Sequence, residues 1–221
     1  MGSSPTRLIN EGFRKHITPL LKQSGFETPN VRKSYWRVSH AMCVLEIRAL
    51  GAYLGFASGF PASSVCVWLG VYYPFFSPDD YNKSRIKADS RGMLVPMEVQ
   101  CHLRDHLVAP IANPKQETLW NPAERQRRDV FWLEPDGSDA DTVSRQIAEL
   151  LSEFALPWFK KRAEPLTAIC EIEADSTLNN KEFLCAHLAL AAGRKDLSER
   201  YIQDAASKGF SIRMNDPDGQ K

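Results

Sequence analysis

The sequence predicts an α+β fold: an antiparallel sheet of about five strands, an N-terminal and a late helix flanking it, and a C-terminal helical hairpin. Three observations predict it. Apolar residues recur at intervals of three and four near the start and again after residue 140. Between Tyr35 and Tyr73 the pattern changes to alternation, the period of a strand. The strand-like runs lie together between the two helical regions rather than alternating with helices, which favours segregated layers over βαβ units.

The first helix is expected over 5–24. Ser4-Pro5 offers an N-cap followed by proline at the first helical position. Ile9, Phe13, Ile17, Leu20 and Leu21 form its apolar stripe, Pro19 can kink it, and Gly25 ends it. Tyr35 to Val38 and Met42 to Ala49 read as a hairpin turning at Ser39-His40. In the second strand Cys43, Leu45, Ile47 and Ala49 share one face, and Glu46 and Arg48 point to the other. Gly51 to Phe60, glycine-rich and aromatic, reads as a loop or irregular strand. Val65 to Tyr73 is apolar on both faces, as a strand covered on both sides would be, and Pro74 ends it.

Residues 77–92 read as a long polar loop with one helical turn at most, and Met97 to Arg104 as a fourth strand. The span 110–128, with Asn113-Pro114 and Asn121-Pro122, reads as a long connection, and Val130 to Leu133 as a fifth strand. Asp139 and Asp141 are candidate N-caps for a helix over 141–160. Its stripe is Val143, Ile147, Leu150, Leu151, Phe154 and Trp158, with Pro157 expected to end or bend it. Glu182 to Ala192 and Leu197 to Ser207 form the closing hairpin, which resembles half of a tetratricopeptide-type unit without a second repeat. This divides the chain into a main domain, 1–165, and an appendage, 166–221.

Composition excludes several classes. A chain of 221 residues with 43% apolar and 25% charged residues can bury an ordinary core. A net charge of +1 argues against a strongly basic nucleic-acid binder. No window approaches 18 consecutive apolar residues, so neither a spanning helix nor a membrane partner is expected. The start, Met1-Gly2-Ser3-Ser4-Pro5, lacks the apolar core of a secretory signal. The five cysteines are odd in number and include no CxxC pair, which fits buried thiols in a reducing cytoplasm rather than a disulfide framework.

Chemistry-bearing clusters are few. Cys101-His102-Leu103-Arg104-Asp105-His106 is the densest. Two imidazoles four residues apart share a face in a helix or a strand and can hold a borderline metal, with Cys101 or Glu98 as a further ligand. Cys101 and His102 are adjacent, however, and point apart in regular structure. No GxSxG, GxGxxG or phosphate loop is present. Arg37, with Arg32 and Lys33, adds to a basic first forty residues (seven Lys/Arg against two acids). Residues 134–153 carry six acids against one Arg, an asymmetry that can steer a charged partner. Aromatic residues crowd between Tyr35 and Phe76, and some, Trp68 among them, can line a concave sheet face.

The order of short motifs carries a resemblance. Ser24-Gly25-Phe26 closes a helix, Tyr35-Trp36-Arg37 opens a strand, Cys101-His102-Leu103-Arg104 lies mid-chain, and Leu156-Pro157-Trp158-Phe159 sits in a late helix. This resembles an uncharacterised bacterial domain family with a "GF … W/Y-R" start and an "LPWF" helix end, over about residues 8–162 of this chain. The resemblance implies kinship with immunity proteins, which neutralise toxins by binding them, and it carries no catalytic residues.

The expectation is therefore a cytoplasmic binding protein with a protein partner and no cofactor, leaning away from an enzyme. Its candidate binding residues are Arg37, Arg48, Trp68, His102, Arg104 and His106. The alternative is a metal-dependent enzyme or metal-binding protein centred on His102 and His106, with Cys101 as a weak third ligand. In a third reading, the tail hairpin docks a peptide.

Overall fold

The computed structural model describes residues 4–76, 86–109, 128–176, 178 and 181–212. Its architecture is α+β, with one five-stranded antiparallel sheet. The strands are β1 (Glu27–Asn30), β2 (Lys33–Arg37), β3 (Met42–Ala49), β4 (Val65–Tyr72) and, after a two-stranded hairpin of β5 (Lys87–Ala88) and β6 (Leu94–Val95), β7 (Leu103–His106). The order across the sheet is β1-β2-β3-β4-β7, all neighbours antiparallel.

The first helix starts as the sequence predicts. Ser4 Oγ accepts the Arg7 N–H at 3.3 Å, and Pro5 opens α1 (Pro5–Gly12). Around Pro19 the helix departs from regular α geometry. A π-turn over Phe13–Ile17 precedes α2 (Thr18–Gln23), and the Thr18 N–H reaches back five residues to the Phe13 carbonyl. The wider turn gives the chain a way past a proline that has no N–H to offer and whose ring crowds the preceding turn. The same device recurs late in the chain. There α4 (Ala140–Leu150) runs through a π-turn at Leu151–Ala155 into α5 (Leu156–Ala163), with Pro157 in the first turn of α5. Pro157 therefore does not end the helix. The extra residue of the π-turn also shifts the apolar stripe to Leu151, Ala155 and Phe159, leaving Phe154 54% exposed.

Three further expectations are corrected. Gly51–Ser58 is a helix, α3, linking β3 to β4, not a loop or strand. The strand expected over 97–104 begins late: Glu98–Gln100 is a 3-10 turn and pairing starts at Leu103. The strand expected over 130–133 reduces to one bridge, Phe131 to Val65. Within the expected loop 77–92, β5 pairs with β6; residues 77–85, and 110–127 of the expected long connection, lie outside the described residues. The tail holds α6 (Pro165–Ala174), which the sequence reading did not anticipate, then α7 (Lys181–Ala191) and α8 (Lys195–Ser207), close to the expected hairpin.

Strand periodicity divides the sheet into two faces. Cys43, Leu45 and Ile47 of β3 and Val65, Val67, Leu69 and Val71 of β4 point to one side. They join Ile9, Phe13, Ile17 and Leu21 of the first helix and Ile147, Leu151 and Phe159 of the late helix in the main core. Ile169, Ile172, Leu184 and Leu188 of the tail helices belong to the same core. The opposite face carries the residues considered next.

Candidate functional site

Directly opposed residues of neighbouring antiparallel strands share a face. Lys33 pairs with Glu46, Glu46 with Trp68, Trp68 with His106, and Gly70 with Arg104. Lys33, Glu46, Trp68 and His106 thus form one row across four strands, with Arg48 and Arg104 in the rows on either side, all on the face turned away from the main core.

Part of this second face is closed. Tyr35, Met42, Val44, Tyr72 and Cys101 form a small apolar cluster that Ile86 and Val95 cover. Burial pushes the Tyr35 phenol up to about 12, with the Glu46 carboxylate adding to the effect. At the other end Leu50, Phe60, Cys66 and Val130 cluster with Trp68 and Trp132. Between them lies a polar centre built on two carboxylates that are almost wholly buried, Glu46 at 2% and Glu98 at 0% exposed.

A buried carboxylate needs cations and donors around it, and each has them. Glu46 Oε2 accepts from Arg48 Nε at 2.8 Å and from its Nη2. Glu46 Oε1 faces Lys33 Nζ at 3.4 Å and accepts the Glu98 backbone N–H at 3.3 Å. Glu98 Oε1 accepts from Arg104 Nε at 2.6 Å, and its Oε2 lies 3.7 Å from Arg48 Nη2. The carboxylates are inside, whereas the Arg48 and Arg104 side chains remain 40% and 47% exposed. The acids thus act as sockets that fix two guanidinium groups at the surface. Trp68 stands half-buried beside them, its ring 5.5 Å from that of His106.

Gly70 makes this arrangement possible. A Cβ there would lie 2.5 Å from Cys101 Sγ, 2.8 Å from Cys101 Cβ and 3.4 Å from the Glu98 carbonyl. Only glycine lets the 3-10 turn press flat on β4 and bring Glu98 over Arg104.

Of the six binding candidates, Arg48, Trp68, Arg104 and His106 come together here. Arg37 shares the face but belongs to another ion network, 2.9 Å from Glu27 and 3.5 Å from Asp89, which Arg91 also joins. His102 is turned inward. Its Nδ1 accepts the Tyr73 N–H at 3.0 Å, which fixes the acceptor nitrogen, and its ring stacks on Tyr72 and Phe76 at 5.1 and 4.5 Å. The two imidazoles of the metal reading rest against Tyr72 and Trp68, four residues apart on β4 and so about 13 Å apart along the strand. Cys101 is fully buried, and burial, with Glu98 nearby, pushes its thiol well above the ordinary range. Among the described residues no group of three or more His, Cys, Asp or Glu side chains is placed to hold a metal ion.

Glu46 was legible as a charge on the polar side of β3, but not as a buried one. The signal was its cross-strand pairing with Lys33 and its i+2 neighbour Arg48, which together allow a carboxylate to leave water.

The fold and this face define an α+β domain with a charged and aromatic sheet surface. Residues 17–161 match the family model described as Domain of unknown function (DUF4304), and the chain belongs to that family. The match covers α2, the sheet and almost all of the late helix, and leaves α1, α6, α7 and α8 outside. It agrees with the span expected from the short motifs. No curated protein and no solved structure matches the chain.

Proposed function

We propose that this chain is a bacterial cytoplasmic binding protein whose open sheet face docks a partner protein and neutralises it by covering it, as immunity proteins do. The observation that carries the reading is the pair of buried carboxylates holding Arg48 and Arg104 at the surface beside Trp68 and His106. Arginine and tryptophan are the residue types that most often anchor protein interfaces. A guanidinium already fixed by a buried acid gives up less side-chain freedom on binding than a loose one. Arg48 Nη1 makes no hydrogen bond among the described residues and can meet a carboxylate or carbonyl of the partner.

The test is native mass spectrometry of the tagged chain captured from its own host's lysate, alongside the Trp68→Ala/Arg104→Ala variant. The reading expects one stoichiometric protein partner on the wild type and its loss from the variant. A wild-type chain recovered alone, or carrying only a small ligand or metal, overturns it.

A further inference from the structure

Helix α3 is built inside out. Its inward positions are Gly55 and Ser58, and its outward positions are Tyr53 at 82%, Leu54 at 51% and Phe56 at 88% exposure, with Ala52 and Ala57 exposed as well. The cause is close packing. A Cβ on Gly55 would lie 2.8 Å from the Phe60 carbonyl and 3.2 Å from the Ala62 backbone, so only a small residue fits beneath the helix. Ser58 Oγ turns back to the Leu54 carbonyl at 2.6 Å. The large side chains of the helix have nowhere to go but outward, the reverse of an ordinary surface helix.

The stretch of chain that carries the helix is uncharged, and the nearest acids along the chain to the cleft-lining Pro135 are Glu134 and Asp136. The chain carries no Asp, Glu, Lys or Arg between Arg48 and Asp79. A shallow cleft of about 420 Å³ beside Phe56 is lined by Phe60, Pro61, Trp132 and Pro135 among others. A second, of about 540 Å³, continues from Pro61, Ala62 and Pro135.

We propose that α3 is a lipid-interface anchor, which holds the protein on a bilayer surface by sinking Tyr53, Leu54 and Phe56 into the boundary between headgroups and acyl chains. Two features select a bilayer over other occupants. The three side chains present roughly 400–500 Å², short of the roughly 800 Å² per partner that a stable protein interface needs. The helix itself also carries no charged side chain with which to meet a protein partner's rim. A bilayer asks for neither. It takes a small apolar wedge of any outline, and tyrosine and phenylalanine suit its interfacial layer. The contact is superficial: among the described residues no helix is long and apolar enough to cross a membrane. This inference does not rest on the sheet-face reading.

Co-sedimentation with phosphatidylcholine vesicles at millimolar lipid tests it. The wild-type chain is expected to sediment with these neutral vesicles equally at low and high salt. The partition coefficient is expected to fall roughly tenfold or more in Tyr53→Ser/Phe56→Ser and to an intermediate degree in Phe56→Ser. These side chains are exposed, so both variants should keep the wild-type melting temperature; the single variant provides the reading if the double one does not. Any of four results overturns the proposal: wild-type chain left in the supernatant, variants that sediment like the wild type, binding only to phosphatidylglycerol vesicles that salt abolishes, or a wild-type dimer in gel filtration that the variants convert to monomer.

Discussion

Substituting Gly70 by alanine probes the geometry on which the polar centre depends. The added methyl would meet Cys101 Sγ at 2.5 Å and Cys101 Cβ at 2.8 Å, against roughly 3.5–4.0 Å for a comfortable contact. Cys101 is fully buried and held by its backbone N–H to the Glu98 carbonyl at 2.9 Å, so it cannot swing into solvent. The 3-10 turn must lift off β4, and overpacking of this kind costs about 1–3 kcal/mol. For a chain of this size each kcal/mol lowers the melting temperature by about 2–4 °C. Gly70→Ala is therefore expected to melt several degrees early in calorimetry. Cys101→Ala alone removes one sulfur atom and leaves a small cavity. The double variant relieves the closest contact, so its loss should fall short of the sum of the single losses by about 1 kcal/mol. Strict additivity, within about 0.5 kcal/mol, would refute the claim that glycine at 70 exists to seat this turn.

Two other predictions concern charge. Glu98→Gln leaves Arg104 and Arg48 without their shared acid; because both guanidinium groups reach solvent, the stability loss should be about 1–3 kcal/mol rather than the larger cost of a fully buried unpaired charge, measured by urea unfolding. Acid should weaken the contact between the first and late helices. The Lys15 ammonium, followed by His16, both at 2.8 Å, holds the Asp141 carboxyl down at about 2. A depressed carboxylate stabilises the fold above its unfolded value, near 3.9, and that contribution fades as pH falls toward 2. The melting temperature of the wild type should accordingly drop more steeply between pH 4 and pH 2 than that of Asp141→Asn. Parallel curves would show that the ion pair contributes nothing.

The sheet was legible where one rule dominated. Alternation fixed β3 and β4, and the Ser4-Pro5 cap fixed the first helix to the residue. The sequence reading failed where two rules competed. Pro19 read as a kink and Pro157 as an end or a bend, and a π-turn before each lets the helix continue. Gly51 to Phe60 read as a loop or irregular strand because it is rich in glycine and aromatics, and Gly51–Ser58 is a helix whose inward face is made of small residues. Helix α6 left a signal that was passed over. Glu164-Pro165 is a capping pair, and its carboxylate accepts the Leu166 and Thr167 N–H groups.

The site was half legible for a similar reason. Residue type pointed to Arg48, Trp68, Arg104 and His106, and strand register then placed them on one face of the sheet. Type alone also selected His102, whose burial against Tyr72 and Phe76 depends on a chain bend that no local pattern announces. Glu46 and Glu98 could be recognised as sockets only once β3, β4 and the 3-10 turn were stacked, because each becomes buried through contacts distant in sequence.

The most direct test of the central claim is a hydrogen-exchange footprint of the chain with its captured partner. The account predicts slowed exchange concentrated in β7 and in the Arg48 end of β3, with little change in α7 and α8. Protection confined to the tail helices, with β7 exchanging as in the free chain, would contradict it.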